Sequence, residues 1–290
     1  MVQVAPNVRL EVLDWGGRGP PLVFLSGLQD VAHGFDDFAP RFTDHYHVLA
    51  ITRRGYGASS QTESGYDLDS RVADLRAVLD SLGLERVALV GHSIAGDELT
   101  AFAGRYPKRV LGLVYFDAAY DHSDVGRLLS ADAPWPPLRA ADSTSPRAVQ
   151  RYLERTYGMR IPEAQIRAIG RYDSSGHLRR DVTPARIDSL MLAGCGHPDY
   201  GAVRAPVLAL YAVVDSAPQI FPAWSTLDSA QRGSARRFTS VLQDWAAAER
   251  ARLRQALPGA EVREIHGANH YIFYSNADEV TREMREFLAR

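Results

Sequence analysis

A short segment between an apolar run and a helical pattern carries the residue types that nucleophilic chemistry needs. The run RVALV is followed by GHSIAG, and a helical pattern begins there. A sharp strand-to-helix turn requires small residues, and Gly91 and Ala95 stand two positions on either side of Ser93. Such a turn places the hydroxyl at the carboxyl end of a strand and at a helix N-terminus, where developing negative charge is favoured. The pattern predicts Ser93 as a nucleophile.

The rest of the chain alternates between apolar runs and helical patterns. Runs such as PLVFLSG and RVALVGH are typical of strands buried on both faces, as in a parallel sheet covered by helices. Predicted strands are Val8–Asp14, Pro21–Ser26, Val48–Thr52, Arg86–Val90, Val110–Phe116, Val207–Val213 and Glu261–His266. Predicted helices are Asp69–Leu82, Ser93–Tyr106, Ala235–Leu257 and Asp278–Leu288. This order predicts an α/β fold with a mostly parallel central sheet flanked by helices.

The alternation is interrupted between about Tyr120 and Arg204. This stretch is rich in proline and arginine and has no strong strand pattern. Helical patterns recur in it at Arg147–Tyr157, Pro162–Ile169 and Thr183–Leu192. We therefore predict a helical cap insertion over residues 120–205, between core segments 1–119 and 206–290. A second stretch without regular pattern, Ser216–Gly233, precedes the helix predicted from Ala235.

Four features together resemble the α/β-hydrolase fold superfamily, in its serine-esterase-like branch with a helical cap. They are GHSIAG, PLVFLSG followed by a helix, RRGYGASS after a strand, and a late GANH. The resemblance covers nearly the whole chain, although the strict motif has glycine where Ala95 stands. It implies a catalytic triad in the chain order serine, acid, histidine, with the histidine near the C-terminus.

His270, in HGANHYIF, is the histidine that fits this order. It follows the last predicted strand and precedes the last predicted helix. Serine needs a base to take its proton, and the base needs a third group to orient it. His266 is the competing candidate at the strand end, but His270 matches the family's loop histidine better. His92, next to Ser93, is predicted to pack beside the turn.

Two aspartates at the ends of apolar strands compete for the position of the triad acid. Asp215 ends PVLALYAVVD, and Asp117 follows LGLVYF. The family's more common arrangement favours Asp215, while some members of the fold carry the acid at the position of Asp117. The long gap from Asp215 to His270 predicts extra structure over residues 216–257, which could form part of the pocket wall. Aromatic residues that could line an acyl pocket are Tyr120, Trp135, Tyr152, Tyr200, Phe221 and Trp224.

An oxyanion hole needs preorganised donors, which are usually backbone N–H groups. The resemblance implies one donor at Ile94, directly after the nucleophile, and a second at Leu28, in the loop after PLVFLSG. Many relatives have His-Gly in this loop where the chain has Ser26 and Gly27. Because the donor is a backbone group, it does not depend on the side chain at position 26. Gly27 is predicted to let the backbone approach the substrate.

Other groups of reactive residues are interpreted as structural. Cys195 and His197 supply one thiol and one imidazole, so no metal site is predicted. Asp97 and Glu98 follow the nucleophile on its helix and are interpreted as an acid pair near arginines or the helix start. The turn RRGYG, residues 53–57, lacks a phosphate-binding pattern and is interpreted as scaffold.

Composition excludes several classes of protein. The 290 residues are 46% hydrophobic and 23% charged, which is typical of a globular chain. With 33 basic and 35 acidic residues the net charge is −2, so neither a nucleic-acid nor a membrane partner is expected. The single cysteine excludes an internal disulfide. MVQVAPNVRL lacks the features of a signal peptide, so a cytoplasmic location is the default expectation, although a trimmed leader would leave the same sequence.

The resemblance implies a serine esterase that cleaves carboxylic esters of small to medium acyl chain. Ser93, His270 and Asp215 would form its triad, with no cofactor and a small-molecule ester as its partner. Serine at position 93 disfavours the aspartate chemistry of dehalogenases and epoxide hydrolases of this fold. The shared triad leaves open a lactonase, a C–C bond hydrolase, an acyltransferase or a slow-turnover ligand receptor. The oligomeric state is not predicted.

Overall fold

An eight-stranded sheet forms the centre of the protein. The computed structural model describes residues 1–126 and 133–290. The strands of this part of the chain are β1 (Val2–Ala5), β2 (Val8–Gly16), β3 (Pro21–Leu25), β4 (His47–Thr52), β5 (Val87–His92), β6 (Val110–Phe116), β7 (Gly170–Tyr172), β8 (Leu178–Asp181), β9 (Val207–Val213) and β10 (Glu261–His266). The order across the large sheet is β1-β2-β4-β3-β5-β6-β9-β10.

The sheet is mostly parallel, which confirms the predicted fold class. From β4 to β10 every neighbouring pair is parallel, and only β2 runs antiparallel to its neighbours β1 and β4. Each strand predicted from an apolar run is present, with bounds within two residues of the prediction. Strand β1 was not predicted, because VQVA is too short to show a pattern.

The helices connect the strands and cover both faces of the sheet. They are α1 (Leu68–Ser81), α2 (Ala95–Arg105), α3 (Pro146–Tyr157), α4 (Glu163–Ile169), α5 (Ala185–Ala193), α6 (Ala217–Ile220), α7 (Ser229–Ala256), α8 (Ile272–Ser275) and α9 (Ala277–Leu288). Short 3-10 turns are Ala32–Phe35, Ala39–Phe42, Pro107–Arg109, His122–Asp124, Ala140–Ser143, Tyr200–Ala202 and Trp224–Thr226.

Alternate residues of the central strands pack against opposite layers. Leu89 and Leu113 belong to a core cluster with residues of α1, α2 and α7. Val90 and Val114 belong to a second cluster with α9 and with the phenylalanines of the first two 3-10 turns. Because both faces are covered, these strands are apolar at almost every position, and this is the pattern by which the sequence predicted them.

The segment between β6 and β9 holds the three helices predicted for the cap. Helices α3, α4 and α5 lie within two residues of their predicted bounds. The same segment also contains the β7–β8 hairpin, which was not predicted. The hairpin strands have three and four residues, and β8 reads LRRD, so neither shows strand periodicity. The division of the chain at residues 120 and 205 stays a prediction.

Helix α7 begins six residues earlier than predicted. Asp228 caps its N-terminus by accepting from the Gln231 N–H, while the Gln231 side chain accepts from the Asp228 N–H. This capping box stabilises a start within a segment that glycine and serine made irregular in sequence. The helix is 28 residues long and carries many arginines on its exposed side. Across residues 1–126 and 133–290, no helix combines the length and apolar character needed to cross a membrane.

Candidate active site

Ser93 occupies a strained turn between β5 and α2, where the sequence predicted it. Its φ is +53°, in the left-handed region that residues other than glycine rarely adopt. The Ser93 N–H donates to the Phe116 carbonyl at 3.2 Å, and the Ser93 carbonyl accepts from the Gly96 N–H at 2.9 Å. These bonds hold the turn against β6 and against the first turn of α2. A strained residue held in this way is typical of a nucleophile presented above a sheet.

Three small residues allow this turn. A Cβ atom at Gly91 would lie 2.8 Å from Leu99 Cδ1 and 3.0 Å from the Ala95 Cβ, which confirms the predicted need for small side chains at 91 and 95. A Cβ at Gly96 would lie 1.8 Å from the carbonyl oxygen of Ala118. The turn therefore also depends on Gly96, through a backbone contact with the segment after β6 that sequence reasoning did not find.

Gly96→Ala should lower the free energy of unfolding by about 3 kcal/mol or more, because the new methyl overlaps a backbone oxygen that cannot rotate away. Alanine normally stabilises a helix relative to glycine, so the predicted sign is opposite to helix propensity. The measurement is urea unfolding of both proteins. Gly259→Ala is the control, since its Cβ meets nothing within 4 Å, and we expect a change within about 0.5 kcal/mol. Equal stability of the two variants would contradict the predicted clash.

The acid that contacts His270 is Asp117. The Asp117 Oδ2 atom lies 2.6 Å from His270 Nδ1. Its Oδ1 atom accepts from the Ala212 N–H at 3.0 Å and from the Tyr120 hydroxyl. Burial and the adjacent Asp117 carboxylate raise the pKa of Tyr120 well above its ordinary value, so that hydroxyl stays a donor. With its acceptors directed in this way, Asp117 fixes the orientation of the His270 ring.

The predicted pairing of Asp215 with His270 is wrong. Asp215 lies 3.5 Å from His266, and its side chain is 60% exposed, whereas that of Asp117 is 8% exposed. Sheet register explains the difference. In the β5–β6 pair His92 is opposite Phe116, so Ser93 and Asp117 leave neighbouring strands at the same level. Asp215 lies one strand farther away and two residues beyond the end of β9, at the surface.

His270 lies in the loop between β10 and α8, as predicted. The buried His92 supports this loop from below, because its Nε2 donates to the His270 carbonyl at 3.0 Å and its ring lies 4.6 Å from the His270 ring. Burial lowers the pKa of His92, which favours its neutral form. His92 is thus packed inside the protein next to Ser93, as predicted, while its contact with the His270 loop was not predicted. His266 is exposed and takes the surface position beside Asp215.

Leu28 and Ile94, the predicted oxyanion-hole residues, border the same cavity as Ser93, Asp117 and His270. Within residues 1–126 and 133–290, neither backbone N–H has a hydrogen-bond acceptor. Two free donors beside a serine can bind an oxygen that develops negative charge. The structure thus places the two predicted donors at the same cavity as Ser93, while their catalytic role stays a prediction.

Gly27 is required by a contact that was not predicted. A Cβ at this position would lie 2.7 Å from His92 Nδ1 and 2.9 Å from the Asp30 carboxylate. The glycine therefore lets the loop after β3 (residues 26–31, which we call the oxyanion loop) approach His92, whereas the sequence interpretation assigned it to substrate approach. The two explanations are compatible, because Gly27 lies against His92 while the next residue, Leu28, borders the cavity.

The cavity above these residues has a volume of about 400 Å³ and a mainly apolar lining. Of the aromatic residues proposed from the sequence, Tyr120 and Trp135 border it. Helix α7 adds Phe238, Leu242 and Trp245, so the extra structure predicted over residues 216–257 does form part of the wall. A pocket of this size and lining suits a small or medium apolar group.

The groups set aside as structural have partners inside the protein. Glu98 pairs with the buried Arg53, and Asp97 accepts from His122 at 2.7 Å. His197 contacts Asp121 at 2.7 Å. In the part of the chain that the structure describes, no three histidine, cysteine or acidic side chains come close enough together to hold a metal ion. The His122 pairing was not found from the sequence, since no motif marks it.

Comparisons with known proteins agree with this architecture. The sequence model of a family described as alpha/beta hydrolase fold matches residues 20–277. A non-heme chloroperoxidase of Streptomyces lividans is 38% identical over 108 residues, which are 36% of this chain and 39% of that protein. A bifunctional esterase/perhydrolase of Acinetobacter calcoaceticus is 34% identical over 102 residues, which are 32% of this chain and 35% of that protein. The chain spans less than half the length of these curated relatives.

A solved structure resembles the whole chain. The crystal structure of E-2-(acetamidomethylene)succinate hydrolase superposes with a TM-score of 0.74 at 20% sequence identity. The superposition covers 100% of this chain and 98% of that one. At this identity the likeness shows the shared fold and leaves the substrate open.

Proposed function

This chain belongs to the α/β-hydrolase fold family, and we propose that it is a serine hydrolase that cleaves carboxylic esters of small to medium acyl chain. One observation carries the proposal. Ser93, His270 bonded to Asp117, and the free N–H groups of Leu28 and Ile94 all border one apolar cavity. These are the parts that acyl transfer through a covalent intermediate requires.

The first half of the proposed reaction forms an acyl-enzyme. The Ser93 Oγ attacks the ester carbonyl carbon while His270 takes the hydroxyl proton at Nε2. Asp117 accepts from His270 Nδ1 and stabilises the imidazolium that forms. The carbonyl electrons move to the oxygen, which accepts from the N–H groups of Leu28 and Ile94. When the intermediate collapses, the C–O bond breaks and the leaving alcohol takes the proton from His270.

The second half returns the enzyme to its starting state. Water attacks the acyl carbon and gives one proton to His270, and the second tetrahedral intermediate uses the same two donors. Its collapse releases the carboxylic acid, and Ser93 recovers its proton. Every proton transfer uses side chains that line the cavity.

The serine at position 93 and the apolar wall of the cavity favour ester hydrolysis among the activities of this family. A serine nucleophile supports acyl transfer, and the esterase/perhydrolase relative carries an esterase name. The cavity wall of Tyr120, Trp135 and Trp245 favours an apolar acyl chain over a strongly polar one. Its volume of about 400 Å³ sets the expected limit at medium length.

The test is hydrolysis of p-nitrophenyl esters from acetate to decanoate by the wild-type protein. We expect turnover with an optimum at short or medium acyl chains, falling towards decanoate as the chain outgrows the cavity. Circular dichroism establishes that the protein is folded. If folded protein hydrolyses none of the series, the esterase proposal fails, and lactones and C–C bond substrates become the next candidates.

A further inference from the structure

A buried ion pair lies beneath the two oxyanion-hole residues. The Arg53 Nε atom donates to both carboxylate oxygens of Glu98, at 2.6 and 2.9 Å. The two side chains are 5% and 3% exposed. Arg53 directly follows β4, and Glu98 lies in the first turn of α2, the helix that follows Ser93. The pair therefore connects the loop after β4 to the helix of the nucleophile.

Arg53 makes a third contact, to the oxyanion loop. Its Nη1 atom donates to the Gly27 carbonyl oxygen at 3.0 Å, in a buried position. The Asp30 N–H approaches the same oxygen from farther away, at 3.4 Å. Arg53 thus provides the shorter, charge-assisted hydrogen bond to this carbonyl.

The contact determines the direction of the Leu28 N–H. Gly27 C=O and Leu28 N–H belong to one peptide plane, and in a trans peptide they point to opposite sides. Because Arg53 holds the carbonyl on the buried side, the N–H points away from Arg53. Leu28 borders the cavity, and its N–H has no acceptor within residues 1–126 and 133–290.

We propose that Arg53 is a positioning residue, which aims the Leu28 N–H at the developing oxyanion and keeps it in register with the Ile94 N–H. Ile94 is the N-cap residue of α2, and Glu98 is four residues later on the same helix. Because the Arg53 guanidinium contacts both Gly27 and Glu98, it fixes the position of the Leu28 N–H relative to the Ile94 N–H. This inference rests on the proposed function, since it assigns a role within the same acyl-transfer site.

A purely structural role for the ion pair makes a different prediction. A buried pair stabilises the fold little relative to well-packed apolar residues, and breaking it lowers the free energy of unfolding. Loss of a positioning role instead lowers kcat, because the oxyanion is present in the transition state and not in the bound substrate. The two roles are separated by a variant that keeps a positive charge beside Glu98 and loses the contact to Gly27.

Arg53→Lys is that variant. Lysine has a methylene at the position of Nε and its Nζ at the position of Cζ, so it keeps a positive charge beside Glu98 but ends one atom short of the Nη1 position. Arg54→Lys is the matched control. Arg54 also pairs with a largely buried carboxylate, because its Nε and Nη2 atoms donate to Asp74 at 2.9 and 2.7 Å, with side chains 13% and 9% exposed. Within residues 1–126 and 133–290 it makes no hydrogen bond to the oxyanion loop.

The experiment measures kcat and KM with p-nitrophenyl butyrate, the thermal unfolding temperature, and the dissociation constant of butylboronic acid by calorimetric titration. For Arg53→Lys we expect kcat to fall about 10- to 100-fold with KM nearly unchanged, and boronate affinity to weaken by a similar factor. For Arg54→Lys we expect both quantities within about threefold of wild type at similar loss of stability. Glu98→Gln, which keeps one acceptor oxygen for Arg53, should show the same pattern with a smaller loss and decides the case if Arg53→Lys does not fold.

Wild-type kcat and boronate affinity in Arg53→Lys would overturn the inference, as would equal losses in both lysine variants. The boronate readout does not require turnover. If the wild-type protein binds the boronate but hydrolyses no ester, the proposed function fails, and the effect of Arg53→Lys on boronate affinity still decides the positioning role. If it does neither, both proposals fail together.

Discussion

Ser93→Ala should lower kcat for p-nitrophenyl butyrate by roughly 10⁴-fold or more, because the covalent step has no other nucleophile at this position. The remaining rate would come from binding and from the Leu28 and Ile94 donors. The measurement compares kcat of freshly purified wild type and variant at saturating ester. The thermal unfolding temperature should change little, or rise slightly, because alanine removes a hydroxyl without leaving a cavity.

Ser189→Ala is the matched control for this substitution. Ser189 is an exposed serine of α5 whose hydroxyl donates to the Ala185 carbonyl within the helix. The kcat of Ser189→Ala should equal that of the wild type. Retained ester hydrolysis in folded Ser93→Ala would show that another group carries the reaction.

Asp117→Asn should lower kcat by about 10⁴-fold, whereas Asp215→Asn should leave it within about threefold. The carboxylate of Asp117 accepts from His270 Nδ1 and so keeps Nε2 free to take the serine proton. An amide in its place can present its NH₂ group to Nδ1, which favours the opposite tautomer. The Asp215 carboxylate pairs with the exposed His266, and in the described part of the chain neither side chain lines the cavity, so its neutralisation should leave the cavity unchanged.

The two asparagine variants are compared by kcat for the same ester and by urea unfolding. Asp117→Asn should also lose some stability, since Asp117 accepts from the buried Ala212 N–H and from Tyr120. A large loss of kcat in Asp215→Asn with little effect of Asp117→Asn would reverse the assignment of the acid.

The sheet could be predicted because its strands are buried on both faces. Runs such as RVALV and LGLVYF leave few alternatives to a strand covered by helices. The same reasoning fails for the β7–β8 hairpin, whose two strands are short, mostly exposed and without a continuous apolar run. It also placed the start of α7 too late, because the capping box at Asp228 outweighs the glycine at position 233.

The positions of Ser93 and His270, the proposed nucleophile and base, were predictable because local sequence marks them. Ser93 needs small residues around a sharp turn, and His270 sits in a loop between the last strand and the last helices. The acid has no such mark, since Asp117 and Asp215 both follow apolar strands. Only the register between β5 and β6 decides between them, by placing Ser93 and Asp117 at the same level of neighbouring strands.

Arg53 shows a second kind of information that sequence lacks. The turn RRGYG predicted scaffold, and Glu98 was correctly expected to lie near arginines. The hydrogen bond on which the positioning role rests joins Arg53 to the Gly27 carbonyl, 26 positions away in the chain. No residue type in the Gly27–Leu28 segment indicates that an arginine binds there. Such a contact depends on how the loops after β3 and β4 meet the start of α2. It therefore cannot be predicted from the residue spacing within one segment.

Covalent labelling of Ser93 tests the central claim most directly. Diethyl p-nitrophenyl phosphate is incubated with the protein, released p-nitrophenolate is counted, and the labelled peptide is identified by mass spectrometry. We expect one equivalent of p-nitrophenolate per chain, a diethylphosphoryl group on Ser93, and loss of ester hydrolysis in step with labelling. A label on another residue, or full ester hydrolysis after Ser93 is labelled, would contradict the assignment of Ser93 as the nucleophile.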